Sequence, residues 1–216
     1  MKFIDIKKNF FRRFMFERSL RKNGYSLIAG IDEVGRGCIA GPVVACAVIL
    51  KTQFNLKGCF DSKQLTKLQR KKIEPLIKLQ ILDFAFGSVS SKKIDKINIY
   101  NASKEAMGKA VLNLKLVPDF LLVDAMSIET SIKQKKIIHG DQLSNSVAAA
   151  SILAKQYRDR LMNIYNKLYP GYFFNRNKGY LTEKHKRALF QKGASPIHRL
   201  SFNPIRKNIR KNAHFF

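Results

Sequence analysis

The sequence predicts an α/β fold, a mixed central sheet flanked by helices, with a C-terminal helical extension. Three observations predict it. Two apolar segments near the start are joined by a Gly-rich turn and read as neighbouring strands. Strand and helix patterns then alternate along the chain. From about residue 170 the remaining periodic segment is helical.

Leu27–Val34 and Pro42–Leu50 are the first two predicted strands, the second so uniformly apolar that both its faces are expected to be buried. Thr66–Leu79 sets Leu68, Leu76 and Leu79 among Lys and Arg, the pattern of a short exposed helix that Pro75 interrupts. Ile81–Ser90 alternates loosely as a third strand. Asn98–Leu116 places Ile99, Ala102, Ala106, Ala110 and Leu114 on one helical face, a stripe of mostly small residues. Phe120–Val123 is a short strand after Pro118, and Lys136–His139 a weaker one before Gly140. Ser144–Lys167 is the clearest helix, with Val147, Ala150, Ser151, Ala154, Tyr157, Leu161 and Ile164 sharing a face; its alanines allow close approach to a sheet. Thr182–Lys192 begins at a capping Thr and stops at Gly193. No internal repeat is present.

Composition narrows the function. The 216 residues carry 41 Lys+Arg against 15 Asp+Glu, a formal charge of +26, while 45% apolar residues exclude a disordered chain. Such an excess of base points to a polyanion, nucleic acid ahead of an acidic membrane surface. The longest uncharged apolar run, Ile39 to Leu50, is too short to span a bilayer and contains Gly41 and Pro42. The opening residues lack the apolar core and cleavage site of a secretory signal. Three cysteines (Cys38, Cys46, Cys59) without C-x-x-C spacing argue against zinc or a disulfide framework and for a reducing cytoplasm.

In so basic a chain the carboxylates are the informative minority. Asp32 and Glu33 end the first strand before Gly35-Arg36-Gly37; Asp124 ends the Phe120–Val123 strand; Asp141 follows Gly140 just ahead of the alanine-rich helix. Strand ends and helix starts are where α/β sheets place their chemistry. Clustered carboxylates repel unless cations join them, and hard oxygen ligands select Mg²⁺ or Mn²⁺. Beside a basic surface, such a cluster suits metal-dependent phosphodiester hydrolysis. Spacing alone equally allows turn carboxylates and helix caps. Asp119 reads as a turn residue and Asp159 as a surface ion-pair partner.

The run Gly30-Ile31-Asp32-Glu33-Val34-Gly35-Arg36-Gly37, followed by Ala40-Gly41-Pro42-Val43-Val44-Ala45, closely resembles the opening motif of bacterial type 2 ribonuclease H, ribonuclease HII. Asp61-Ser62-Lys63-Gln64-Leu65, Val123-Asp124, Gly140-Asp141 with Ala148 to Lys155, Arg158-Asp159, Tyr169-Pro170-Gly171-Tyr172, Lys178-Gly179-Tyr180 and Ser195-Pro196-Ile197-His198-Arg199 resemble the later motifs, in order. The likeness runs from about Phe16 to Pro204. It implies a ribonuclease H-like catalytic domain over 25–204, its substrate-binding helical part starting near 170, between a basic extension at 1–24 and a basic tail at 205–216.

The resemblance also implies an activity: cleavage of the RNA strand of RNA–DNA hybrids, and cutting on the 5′ side of ribonucleotides embedded in duplex DNA, leaving 3′-hydroxyl and 5′-phosphate ends. By motif, Asp32, Glu33, Asp124 and Asp141 resemble the catalytic carboxylates that hold Mn²⁺ or Mg²⁺. Gly35, Arg36 and Gly37 resemble the reader of the ribose 2′-hydroxyl, and Tyr180 the ring that stacks on the following sugar and favours deoxyribose there. Ser62 and Lys63 resemble phosphate contacts. Ser151 and Lys155, at i and i+4 on one helix face, are candidates for phosphate contact or for supporting the carboxylates. His185 reads as a structural or surface group and His198 as one that orders a loop. The stretch Gly171–Phe216, with eleven Lys+Arg and one acid, is expected to grip the duplex. The resemblance further suggests a monomer, with a sliding clamp as a candidate protein partner.

Three positions depart from the family pattern: Cys38 where proline commonly follows the GRG turn, Ala125 in place of a glycine after the third carboxylate, and Leu181 after Tyr180. None is a candidate metal ligand. Three rivals remain open. Type 3 ribonuclease H usually carries a larger segment before its first carboxylates than the thirty or so residues ahead of Asp32. A noncatalytic basic nucleic-acid binder would not need four carboxylates at strand ends. An inactive homologue would not need to keep them.

Overall fold

A computed structural model of the chain describes residues 15–52, 54 and 66–207. Its elements, in order, are α1 (Met15–Lys22), β1 (Ile28–Val34), β2 (Val43–Leu50), α2 (Lys67–Leu79), β3 (Ile81–Val89), α3 (Ser91–Leu112), β4 (Phe120–Asp124), β5 (Gln134–Ile137), α4 (Gly140–Leu143), α5 (Asn145–Leu168), α6 (Phe174–Asn177) and α7 (Glu183–Lys192). The five strands form one mixed sheet in the order β3-β2-β1-β4-β5. β1, β2 and β3 pair antiparallel, while β4 runs parallel to both β1 and β5.

Strand β2 explains the two-sided core. All eight of its residues are buried, and because successive side chains alternate across a pleated sheet, they feed two clusters. Val43, Ala45, Ala47 and Ile49 pack with Ala102, Ala106, Met107 and Ala110 of α3, whereas Cys46, Val48 and Leu50 pack with Ala149, Ala150, Ile152 and Leu153 of α5. The small residues let both helices come close. A Cβ on Gly30 would sit 2.2 Å from the Ser146 carbonyl carbon, so β1 can lie this near the start of α5 only with glycine there.

The Thr182 cap read from sequence is made, its side chain accepting from the His185 amide; Thr66 likewise closes a capping box with Gln69, and Ser144 accepts from the Val147 amide. Helix α3 begins at Ser91, seven residues ahead of the expected start. Asn98 breaks the helical geometry (φ 64°) and its Oδ1 accepts from the Asn101 amide at 3.0 Å, so the expected start is a second cap inside a kinked pair. Helix α5 leaves the sheet toward its C-terminal end. Ile164, expected on the packed face, is therefore exposed.

Within 1–24, the stretch expected as a basic extension, residues 15–22 form α1, whose Phe16 and Leu20 pack on Leu122, Ile137 and Val147. Its buried Glu17 accepts from the Ser144 and Ser146 hydroxyls at 2.6 and 2.8 Å and from the Ser146 amide at 3.1 Å. This carboxylate therefore sits on the first turn of α5, where the helix dipole favours negative charge.

Candidate active site

Strand pairing brings the first carboxylates together. β1 and β4 run parallel with Ile31 opposite Val123, so the next residue on each strand, Asp32 and Asp124, emerges at the same end of the sheet. Asp32, Glu33 and Asp124 line a cavity of about 380 Å³ together with Gly35, Arg36, Gly37, Arg70, Ser151, Lys155 and Tyr180. The Gly140 amide donates to Asp124 Oδ1 at 2.7 Å, tying the start of α4 to the end of β4.

Burial sets the electrostatics of the acids in the cavity. Burial, reinforced by Glu33 and Asp124, raises the Asp32 carboxyl well above the usual carboxylate range; hydrogen bonds from Ser151 and the Glu33 amide (2.7 Å) partly offset this. Burial also raises Glu33, with Arg36 (3.4 Å) opposing and Asp124 reinforcing the shift. Glu33 Oε2 is buried without a hydrogen-bond partner. An oxygen-only donor set, an orphaned carboxylate oxygen and two acids raised by burial and by neighbouring carboxylates fit a hard divalent cation. Among the described residues no three Asp, Glu, His or Cys side chains form a closed ligand cluster: three carboxylates face a shared space rather than a finished shell.

Asp141, the fourth carboxylate of the sequence reading, lies in the first turn of α4 one residue beyond the amide that holds Asp124; it is almost fully buried and does not line the cavity. Ser62 and Lys63 lie outside the described residues. Asp119 behaves as the expected turn residue, accepting from the Ser26 and Leu27 amides. Asp159 does not behave as the expected surface partner. It does pair with Lys155, at 2.5 Å, but is buried, because Lys178 lies over this turn of α5, its Nζ donating to the Asp159 carbonyl at 3.4 Å and to Asn163 Oδ1 at 2.7 Å.

Two fully buried arginines escaped the sequence reading. Arg199 donates to the carbonyls of Gly35 (2.6 Å), Arg36 (2.8 Å) and Gly41 (2.9 and 3.1 Å). Arg158 donates to those of Ala40 (3.1 Å), Pro42 (3.0 Å) and Lys178 (2.8 Å). Burial pulls Arg199 down to about 10, which leaves it charged at neutral pH. Gly35 (φ 96°) is required here, since a Cβ would stand 2.3 Å from Arg158 Nε. The GRG turn is thus held from behind by the Arg199 guanidinium, while Arg158 packs against Gly35 and ties down residues 40–42 that follow. The Ile39 amide, donating to the Gly179 carbonyl at 2.9 Å, joins the turn to the segment that presents Tyr180. The only sequence signal for these arginines was their place inside motif blocks, since an arginine by itself reads as solvated.

A family model described as Ribonuclease HII matches residues 29–205, most of the chain and all of the cavity-lining residues. The chain belongs to the ribonuclease HII family. It is 53% identical over 194 residues to the ribonuclease HII of Desulfitobacterium hafniense (strain DSM 10664 / DCB-2), covering 89% of this chain and 75% of that one. Among solved structures it resembles the ribonuclease H2 of Pyrococcus horikoshii OT3 (TM-score 0.73, 25% identity, 86% of this chain and 98% of that one). It also resembles the RNase HII solved in complex with PCNA from Archaeoglobus fulgidus (TM-score 0.70, 24% identity, 82% and 96%). As a ribonuclease HII the protein is a type 2 ribonuclease H, a divalent-metal-dependent endonuclease acting on the RNA of RNA–DNA hybrids. No helix among the described residues is long and apolar enough to cross a membrane.

Proposed function

We propose that this ribonuclease HII cuts duplex DNA on the 5′ side of an embedded ribonucleotide, as well as the RNA strand of hybrids, and leaves 3′-hydroxyl and 5′-phosphate ends. The observation that carries the proposal is the shared cavity, lined by carboxylates from two parallel strands together with the GRG turn and Tyr180.

Asp32, Glu33 and Asp124 would hold two divalent ions, Mg²⁺ or Mn²⁺; Asp141, buried next to Gly140 and outside the cavity lining, keeps the fourth ligand role that its motif implies. Bound there, the ions supply an activated water and charge stabilisation for the leaving oxygen. The chain's own residues do the rest. Ser151 holds Asp32 by a hydrogen bond. Arg36 pairs with Glu33 and keeps a half-exposed guanidinium toward the cavity. Gly35 and Gly37 let the backbone of the turn approach a ribose, whose 2′-hydroxyl distinguishes RNA from DNA. Tyr180 offers a flat face to the following sugar, and Lys155 offers a cation to the phosphate chain; Ser62 and Lys63 keep the phosphate-contact role their motif implies. Removal of ribonucleotides during DNA replication and repair is the corresponding role, in a cytoplasm where the buried thiols of Cys38 and Cys46 stay reduced. A sliding clamp remains the candidate protein partner and a monomer the proposed working unit.

Incubating a DNA duplex bearing one ribonucleotide with pure protein, with Mg²⁺, with Mn²⁺ or with EDTA, tests this. Metal-dependent nicking on the 5′ side of the ribonucleotide is expected; retention of the duplex without a nick in either metal would reduce the protein to a basic binder.

A further inference from the structure

Two histidines that the chemistry above does not use lie one and two hydrogen bonds from Tyr180. His185, on α7, and His198, in the loop after it, are 0% and 2% exposed. The Ser195 amide and hydroxyl both stand 2.8 Å from His198 Nδ1; the hydroxyl can play either role but a backbone amide can only donate, so this nitrogen carries the lone pair and the His198 proton sits on Nε2. That Nε2 is 3.0 Å from His185 Nε2, which must then accept. The His185 proton is left on Nδ1, 2.8 Å from the Tyr180 carbonyl, which can only accept. Both ends are one-way, so the chain Ser195 → His198 → His185 → Tyr180 has a single polarity, with both rings neutral.

The surroundings keep it that way. Tyr172 and Phe174 pack against both rings, and the Tyr172 hydroxyl donates away, to the Gly193 carbonyl. Burial lowers both histidines, His198 to about 4 with His185 contributing. The Tyr180 carbonyl also accepts from the Thr182 amide at 3.0 Å, so its two lone pairs are occupied and its peptide plane is set. The ring carried by that backbone lines the cavity beside Gly37.

We infer that the His185–His198 pair is a positioning relay that holds Tyr180 against the substrate, and so sets the preference for an isolated ribonucleotide over continuous RNA. This rests on the reading of Tyr180 as the ring that stacks on the sugar after the ribonucleotide. Neither histidine touches substrate; the relay acts through the backbone of Tyr180.

The readout is kcat/KM on a DNA duplex with one ribonucleotide divided by kcat/KM on a continuous RNA–DNA hybrid, measured with the full chain. His185→Asn places an amide nitrogen near Nδ1 and keeps the bond to Tyr180; His185→Gln reaches toward His198 and abandons Tyr180. His185→Gln is expected to lower the ratio about fivefold, the worth of a typical buried hydrogen bond, and His185→Asn to stay within about twofold of the parent. Equal effects of the two variants, or an unchanged ratio in both, overturn the relay when Tyr180→Ala lowers the ratio. An unchanged ratio in Tyr180→Ala overturns the reading of Tyr180 and the relay with it. Ring ¹⁵N shifts of the parent protein at neutral pH give a test independent of any variant: Nδ1–H on His185 and Nε2–H on His198 are expected, and either opposite tautomer refutes the relay.

Discussion

Arg199 Nη2 donates to the Gly35 carbonyl at 2.6 Å from a guanidinium that is wholly buried. A residue 164 positions away therefore fixes the shape of the turn proposed to face the ribose. Replacing it would strand the carbonyls of Gly35, Arg36 and Gly41 in a dry interior. Arg199→Ala is expected to cost about 3 kcal/mol in denaturant unfolding. Arg199→Lys, which keeps the charge but loses the planar fork, should fold and discriminate ribose from deoxyribose less sharply. A lysine variant with parental discrimination would show that the clamp serves stability alone.

Ala125 gives a prediction of opposite sign. It follows Asp124 with φ at 54°, in the left-handed region that costs a residue bearing a Cβ about 1 kcal/mol. Its amide still donates to the Ile137 carbonyl at 2.9 Å, so the conformation is held by β5. Ala125→Gly should stabilise the protein by roughly 0.5 kcal/mol, net of the entropy that glycine adds to the unfolded chain. A fall in the unfolding midpoint would contradict this.

The histidine relay predicts an acid-side loss of stability. His198 is held at about 4 in the fold against an ordinary value of 6.5, so the unfolded chain binds the proton more readily. The stability that this neutral ring contributes is complete above 6.5 and drains away as pH falls toward 4. Between pH 7 and pH 5 the parent should lose about 2 kcal/mol more than His198→Gln, compared by denaturant unfolding at both pH values. Parallel losses would mean the ring is protonated in the fold.

The sheet and the three longest helices were legible because they are patterned. β2 is apolar throughout and lies between two helices, the alanines of α3 recur at helical spacing on one face, and α5 carries a run of small residues where it meets the sheet. The strand ends likewise announced Asp32, Glu33 and Asp124, since a charge that stops an apolar run stands at the rim of a sheet. Three features were hidden for physical reasons. Arg158 and Arg199 are buried because they satisfy backbone carbonyls, and carbonyls leave no mark on a sequence. α1 docks through Phe16, Leu20 and one buried acid, Glu17, within a segment whose composition is basic. The link between His185 and His198 is a contact between a helix and the loop after it, which neither period nor motif displays.

The central claim is that Asp124, with Asp32 and Glu33, serves the hydrolysis and not the grip on the duplex. It is tested most directly by Asp124→Asn, which keeps the shape and an acceptor for the Gly140 amide but removes a negative charge. Binding to a DNA duplex with one ribonucleotide, followed alongside cleavage in Mg²⁺, should show parental affinity within about threefold and a loss of cleavage of at least about 10³-fold, the scale of removing a key electrostatic group. An asparagine variant that still nicks the duplex at the parental rate would contradict the account.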